Sequence, residues 1–345
     1  MPREVTHHYV DPLAQVWLGA ARRIGLTVIR TPDAYASTDG RGTLAIGEPA
    51  TLDADDSLGQ MIFHELCHSL IEGEESFRRP DWGMDNTGPD HDWREHACLR
   101  AQWVLAGRHG LRAVLAPTTD FRAFWDTLAG DVLADRRDRS VVAAITGLRR
   151  AAHPPWAPAL GEALAATARI AAEAARFAGP AGPSDPAAPS LWRTVAPSPA
   201  PHPTGLPAGA TDATCASCAW RHDHRDRARC RQAGATVDPA WRACERHEPA
   251  LDCQDCGACC RAAYHSVEVS RRDPVVRAQP TYIVDRGAYL EIRRDGERCA
   301  ALEGGTPHEP RYRCAIYDDR PRTCRDFTLG SEHCLTARRR VGLSL

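Results

Sequence analysis

The sequence contains no lysine, so all 43 of its basic side chains are arginines. It also lacks an excess of charge of either sign, because 45 acidic residues leave a formal net charge of -2. A nearly neutral chain argues against general affinity for nucleic acids or membrane surfaces. No stretch approaches the roughly 18 apolar residues of a membrane span. We therefore expect neither a nucleic acid nor a membrane as a partner.

The N-terminal stretch "MPREVTHHYVDP" lacks a basic segment followed by an apolar one, so it does not resemble a secretory signal peptide. A cytoplasmic location is therefore expected. Cysteines stay reduced in that compartment, and dense, regularly spaced thiols there indicate metal or iron-sulfur ligation. Disulfide bonds are the alternative interpretation of the same cysteines.

The 345 residues are enough for two or three domains, and the amino-acid composition changes along the chain in a way that indicates where the domains begin and end. Residues 1–178 are predicted to form a mainly helical domain with two short strands, "LTVIR" and "TLAIG". Residues 179–212 are so rich in proline, alanine and glycine that we expect a flexible linker. Twelve of the fourteen cysteines follow, between Cys215 and Cys334, and predict a small, irregular, metal-binding C-terminal domain. The predicted fold class is α+β.

Helices are predicted in residues 1–178 wherever apolar side chains recur at helical spacing. Asp53 or Asp55 is expected to cap the second helix, because aspartate accepts hydrogen bonds from free backbone amides. The predicted helices cover residues 9–24, about 55–72, about 92–105, 120–134, 139–151 and 157–178.

The stretch "MIFHELCHSL" within the second predicted helix contains a metal-binding pattern. His64 and His68 are four residues apart, so they share one helix face and can bind one zinc ion. Zinc lowers the pKa of a water molecule toward 7, and Glu65 can take its proton as general base. The pattern predicts a zinc-dependent peptidase or related amide hydrolase with a peptide or protein substrate. The alternative is a core helix with two satisfied histidines.

A catalytic zinc ion needs a third protein ligand. We favour Glu95, because it falls on the next predicted helix, whose apolar side chains can pack while the carboxylate faces the histidines. His91 is the alternative ligand, and Asp85 or Asp90 could orient a ligand histidine. The candidates in this segment are Asp85, Asp90, His91, Glu95 and His96.

Residues 55–105 resemble the gluzincin metallopeptidases, in which a glutamate on a following helix joins the two histidines of the motif. The resemblance implies a zincin-like domain with Glu95 as the third ligand and Glu65 as the base. The chain departs from that pattern at Leu99, where many gluzincins place a histidine-orienting aspartate. The motif followed by His91 is also similar to the SprT-like metalloproteases, which would make His91 the ligand.

Two cysteines lie in the same segment, each three residues after a proposed ligand. Cys67 follows His64 at this distance, and Cys98 follows Glu95. We expect both to be small buried side chains. They would lie close together if the two helices pack through the site.

A first group of cysteines is predicted to bind metal within residues 213–250. Its members are Cys215, Cys218, Cys230 and Cys244. The "CASC" pair forms a knuckle whose backbone amides can bond the sulfurs, and the two later cysteines complete four thiolates. Four soft ligands suit zinc and an iron-sulfur cluster equally well. His222, His224 and His247 are expected to be solvated.

A second group opens with "CQDCGACC" in residues 251–345, which are predicted to form a cysteine-cluster domain. Four cysteines within eight residues can wrap one ion or cluster, and Gly257 permits the tight turn that this requires. The members are Cys253, Cys256, Cys259, Cys260, Cys299, Cys314, Cys324 and Cys334.

The second group resembles the YkgJ family of cysteine-cluster proteins, over about residues 252–335. That family has a CxxCxxCC-like opening, then a cysteine followed by Ile-Tyr and Arg-Pro, and a further cysteine with an aromatic residue. The later elements here are Cys314, Ile316, Tyr317, Arg320, Pro321, Cys324 and Phe327. The resemblance implies chelation of zinc, iron or an iron-sulfur cluster, without a defined reaction.

The sequence thus favours a metal-binding protein that combines a zinc hydrolase site with a chelating cysteine domain. One alternative is a non-enzymatic metal-binding or iron-sulfur redox module in which the histidine motif is structural or degenerate. Another is a protein that chelates and delivers zinc or iron. Neither the substrate nor the oligomeric state is encoded in these motifs.

Overall fold

The chain forms two compact units, residues 1–200 and 201–345. Both contain helices and small sheets, so the predicted α+β class is confirmed. The division falls inside the predicted linker 179–212, whose residues 179–189 lie outside the described residues, and the linker stays a prediction. The computed structural model describes residues 6–7, 9–84, 92–117, 121–178, 190–306 and 308–345.

Unit 1 consists of helices around one small sheet. Each predicted helix is present, but the fourth ends early at Thr127. Asp131 and Asp135 there accept hydrogen bonds from amides two residues on, so local turns replace further helix. The elements are α1 (Pro12–Ile24), β1 (Thr27–Thr31), β2 (Ala36–Thr38), β3 (Thr43–Gly47), α2 (Leu58–Glu72), α3 (Asp92–Gly107), α4 (Arg122–Thr127), α5 (Arg139–Arg150) and α6 (Ala159–Phe177).

The sheet of unit 1 has the strand order β1-β3-β2, with β1 parallel and β2 antiparallel to the central strand. Leu44 and Ile46 of β3 are fully buried, so alternate side chains of the central strand face the core. Helices α1 and α2 approach closely because Gly59 has no side chain. A Cβ atom there would lie 2.7 Å from Cδ1 of the buried Trp17.

Unit 2 is built from short elements. Its sheets are all antiparallel, with orders β4-β5-β6, β7-β9-β8, β10-β11 and β12-β13. Among the helices in the described part of the chain, none has the length and apolar character needed to cross a membrane. The elements are β4 (Arg221–His224), β5 (Arg227–Cys230), β6 (Ala235–Thr236), α7 (Cys253–Cys256), β7 (Glu268–Val269), α8 (Pro274–Ala278), β8 (Ile283–Asp285), β9 (Leu290–Ile292), β10 (Arg294–Asp295), β11 (Arg298–Cys299), β12 (Leu302–Glu303), β13 (Arg313–Cys314), α9 (Arg322–Arg325) and α10 (Glu332–Arg340).

A buried ion pair joins the segment before α7 to α10 at the end of the chain. Glu248 lies 2.5 Å from the Arg338 guanidinium, and both side chains are only 7% exposed. The other carboxylate oxygen of Glu248 accepts hydrogen bonds from the Trp220 indole at 2.9 Å and the Ser344 hydroxyl at 2.5 Å. The buried carboxylate is therefore paired and hydrogen-bonded on both oxygens, which offsets much of its desolvation cost.

Replacing Arg338 by Met should destabilise unit 2 by about 3–5 kcal/mol, because Glu248 would stay buried without a counter-charge. Hydrogen exchange of the α10 amides, compared between variant and wild type, measures the change. Arg271→Met is the matched control, since its partner Asp285 forms an exposed ion pair. A similar loss of protection in both variants would contradict the importance of the buried pair.

Candidate metal centres

Helix α2 holds both motif histidines on one side of a helix that is buried in unit 1. A capping box fixes its start: the Ser57 side chain accepts from the Gln60 amide, and the Gln60 side chain from the Ser57 amide. Ser57 therefore caps the helix in place of the predicted aspartates. His68 is 4% exposed and His64 is half-buried. The fully buried side chains of the helix include Ile62, Phe63, Leu66, Cys67 and Leu70.

Glu95, on the first turn of α3, meets both histidines. One carboxylate oxygen lies 3.2 Å from Nε2 of His64, and the other lies 3.2 Å from Nε2 of His68. The two Nε2 atoms are 3.0 Å apart. Ligands of a tetrahedral zinc ion with bonds of about 2.0–2.1 Å lie about 3.3 Å from one another. The two imidazole nitrogens and the Glu95 carboxylate, which contacts each of them through a different oxygen, are thus close enough together to be candidate ligands of one zinc ion.

Gln102 fixes which nitrogen of His64 faces the site. Its amide NH₂ donates to the Leu115 carbonyl at 2.6 Å, so its oxygen is the atom 2.9 Å from Nδ1 of His64. Nδ1 must therefore carry a hydrogen. When the ring is neutral, as it is in a metal ligand, its Nε2 lone pair faces Glu95 and His68. Gln102 lies seven residues after Glu95, on the same face of α3, and that helical spacing is the signal by which the sequence could have revealed it.

The charges around these side chains favour a cation. Burial lowers the pKa of His64, but the carboxylates of Glu95 and Glu65 outweigh burial and raise that pKa to about 10. Burial raises the pKa of Glu95, but His68 and His64 outweigh it and lower that pKa to about 2. Nδ1 of His68 is buried without a hydrogen-bond partner among the described residues.

Glu65 is buried beside the histidines and is held by a tryptophan. The Trp82 indole N–H donates to one of its carboxylate oxygens at 2.8 Å. Trp82 is 2% exposed, and its ring packs edge-on against Phe77. Its backbone amide donates to the Thr38 hydroxyl at the end of β2. Sequence reasoning missed Trp82, since no motif spacing connects it to Glu65.

Cys98 lies near the histidines. Its Sγ is 3.9 Å from Nδ1 of His64 and donates to the His64 carbonyl at 3.6 Å. Its sulfur also belongs with His64, His68 and Glu95 to one set of potential ligand atoms that lie within 4.8 Å of one another. Burial and a hydrogen bond with Cys67 raise the pKa of the Cys98 thiol. The two cysteines are thus close together and buried, as expected.

The other candidates between the two helices do not enter this arrangement. Asp85, Asp90 and His91 lie outside the described residues. His96 stacks on the Phe124 ring instead, with ring centroids 3.8 Å apart. Among the side chains that the structure describes, Glu95 is therefore the carboxylate that meets the two histidines.

The four cysteines of residues 213–250 line one small cavity in unit 2. Burial raises the pKa of the Cys244 thiol to about 12, and the three other thiols act in the same direction. The cavity thus disfavours thiolates unless a cation binds with them. His247 also borders the cavity and lies 3.0 Å from the Ser217 hydroxyl.

His202 also borders this cavity, although it falls in the predicted linker. It is 5% exposed, and its Nε2 lies 3.3 Å from Sγ of Cys215. Because the Thr204 amide donates to Nδ1 of His202, Nε2 carries the hydrogen in the neutral ring and donates to the sulfur. His202 is therefore an additional partner of this cysteine group, hidden from sequence reasoning by its proline-rich surroundings.

The CxxCxxCC stretch bends sharply at Gly257, as predicted. Gly257 has a left-handed φ of 57° and ends α7, and a single 3₁₀ turn then carries Cys259 and Cys260. Their sulfurs are 3.9 Å apart. The hydrogen bond that the two thiols share lowers the pKa of Cys259 to about 7 and raises that of Cys260.

The four later cysteines of this domain lie on four different secondary-structure elements. Cys334, on α10, borders a second small cavity. Cys299 and Cys314 lie on β11 and β13 and pack in an apolar cluster. Cys324 lies on α9, and burial raises its pKa to about 12, with Cys299 and Cys314 acting in the same direction.

The sulfur atoms within each thiol group of unit 2 are more widely spaced than the ligand atoms of the histidine site in unit 1. Within the described residues, one set of three or more ligand atoms lies within 4.8 Å of one another, and it consists of His64, His68, Glu95 and Cys98. Thiolates of one zinc ion lie about 3.8 Å apart, given Zn–S bonds of about 2.3 Å. The sulfur atoms of a thiol group would therefore have to move closer together when that group binds a zinc ion.

Residues 252–339 match the CxxCxxCC family model, which is described as "Putative zinc- or iron-chelating domain". The match includes all eight cysteines from Cys253 to Cys334 and confirms the predicted chelating cysteine domain. It covers neither unit 1 nor residues 213–250. No curated protein and no solved structure matches the chain. The hydrolase site therefore stays a prediction.

Replacing Gln102 by Leu should weaken zinc binding at the histidine site about 10- to 100-fold, because His64 loses the group that fixes its tautomer. Chelator competition on full-length protein measures this, counting the zinc that is lost in His64→Ala. Thr167→Val is the control, since Thr167 is also fully buried on another helix, where its hydroxyl bonds the Trp17 indole and the Ala163 carbonyl. An equal loss of affinity in both variants would indicate general destabilisation instead.

Proposed function

We propose that this chain is a metal-binding protein with a zinc-dependent amide hydrolase site in unit 1 and thiolate metal centres in unit 2. The meeting of His64, His68 and Glu95, with ligand atoms 3.0–3.2 Å apart, is the observation that supports the hydrolase site. Nitrogen and carboxylate donors in this number are those of catalytic zinc sites. The substrate would be a peptide or protein.

In this proposal the two imidazoles and the Glu95 carboxylate hold the zinc ion. When bound, zinc polarises an amide carbonyl and acidifies water. Glu65 acts as general base: it takes a proton from water and returns it to the leaving amine. The Trp82 indole holds one oxygen of Glu65 and so orients the carboxylate. Burial of Glu65 limits competing solvent around the base.

A reducing, cytoplasmic location is part of the proposal. All fourteen cysteines are free thiols. Thiols persist in a reducing compartment, where they are available as ligands. This supports metal ligation over disulfide bonds for the cysteines of unit 2.

Replacing Glu65 by Gln should leave zinc bound and lower the rate of cleavage by at least about 100-fold, because general base catalysis contributes about 10²- to 10⁴-fold. Zinc per chain is measured by elemental analysis, and turnover with fluorescently labelled casein and a quenched peptide library. Glu75→Gln, at an exposed ion pair with Arg78, should change neither quantity.

Equal cleavage by the wild type and the Glu65→Gln variant would contradict the mechanism. Zinc that is bound without cleavage of any probe by the wild type would favour the second candidate function instead. In that function the chain chelates metal or carries an iron-sulfur cluster without turnover, and the histidine site is structural. The family match supports it, since the description names chelation and no reaction.

The metal of the cysteine domain is expected to depend on the thiols of α7. If it is an iron-sulfur cluster, anaerobically purified protein should show a visible absorption band that is lost in Cys256→Ser, because thiolates hold such clusters. Glu268→Gln, in the same domain but at an exposed side chain, is the control. Colourless protein with bound zinc would exclude the cluster and leave zinc chelation.

A further inference from the structure

The eight cysteines of residues 252–339 contact different surroundings: four border one cavity, and three of the others belong to or pack against one apolar cluster. We propose that they form two separate four-thiolate metal sites rather than one shared centre. Site A consists of Cys253, Cys256, Cys259 and Cys334. Site B consists of Cys260, Cys299, Cys314 and Cys324. The inference rests on the proposed metal binding of this domain and deepens it by assigning each thiol to a site.

Site A is the cavity between α7 and α10. All four of its cysteines border this cavity, together with apolar side chains such as Leu251 and Phe327. Electrostatic interactions link Cys253 to the three other thiols of the site, and link Cys334 to Cys256 and Cys259. No cysteine of site B borders the cavity. A cation there would be enclosed by two helices and the 3₁₀ turn.

Site B lies against the apolar cluster of β7, β9 and α8. Cys299 belongs to that cluster, and Cys260 and Cys314 pack against it. Pairing of β12 with β13 and a hydrogen bond from Ala315 to Ala301 hold the segments of Cys299 and Cys314 together. Cys324 interacts electrostatically with Cys299 and Cys314. All four thiols of site B also interact with Cys259 of the adjacent site A, so the division rests on the cavity and the apolar cluster that the cysteines contact.

The division falls between neighbouring residues. Cys259 borders the cavity of site A, whereas Cys260 packs against the cluster of site B. Their sulfurs are 3.9 Å apart, so the two sites would be adjacent. The left-handed turn at Gly257 ends α7, and the 3₁₀ turn that follows carries Cys259 and Cys260 next to each other.

Each site also has its own arginine. Arg338 interacts with Cys256 of site A by charge and by a hydrogen bond. Arg320 interacts with Cys314 and Cys324, and Arg294 with Cys299, all of site B. Four thiolates around one divalent ion leave two negative charges, which nearby guanidinium groups compensate. Different arginines thus interact with the thiols of the two sites, and Arg338 is paired with Glu248 as well.

Native mass spectrometry of anaerobically purified full-length protein tests the division. Cys334→Ser should remove the metal of site A alone, and Cys324→Ser that of site B alone, while the double variant loses both. Peptide mapping after alkylation provides a second readout. In Cys334→Ser, Cys253 and Cys256 should become reactive, while Cys299 and Cys314 stay protected.

The cysteines of residues 213–250 are the internal control for folding, because their protection should be the same in every variant. Loss of both centres from either single variant, with that control group still protected, would overturn the division and indicate one shared polynuclear centre. A wild type without metal on the thiols of 252–339 would overturn the proposed chelation itself. The two failures are therefore distinguishable.

Discussion

The close packing of α2 against α3 is the constraint on which the histidine site depends. It brings a carboxylate and two imidazoles together in a buried space, where their charges and lone pairs need a cation or a shared proton. The same packing supplies Gln102, which sets the tautomer of His64. A third element, the turn at Trp82, orients Glu65. Residues that are far apart in the sequence thus form one site.

Unit 2 is stabilised in a different way from unit 1. Its strands and helices are short, so hydrogen bonding within single elements provides little cooperative stability. Long-range contacts replace it, among them the buried pair of Glu248 and Arg338 and the thiols that converge from separate segments. Metal ligation would add free energy of folding to such a unit, since ligands converge only in the folded state.

Local signals predicted much of unit 1. Apolar spacing located the six α-helices that the structure describes in unit 1, because a helix that packs on one face has apolar residues at regular intervals. It predicted none of the short 3₁₀ helices there, such as Glu74–Arg78. The extent of α4 was wrong, since aspartate side chains further on bond to nearby amides and form turns. The cap of α2 was also misplaced, because aspartates close to the true cap, Ser57, have the same local preference.

By itself, the sequence determined the chemical inventory: which residues can bind a metal, the helical spacing of His64 and His68, and the cysteine density of the second half. Only the tertiary structure decided which candidates meet. It brought Glu95 to the histidines, His202 to Cys215, and Cys259 and Cys260 to different neighbours. The physical reason is that ligand spacing along one helix is local, whereas partners from different elements are set by packing across the core.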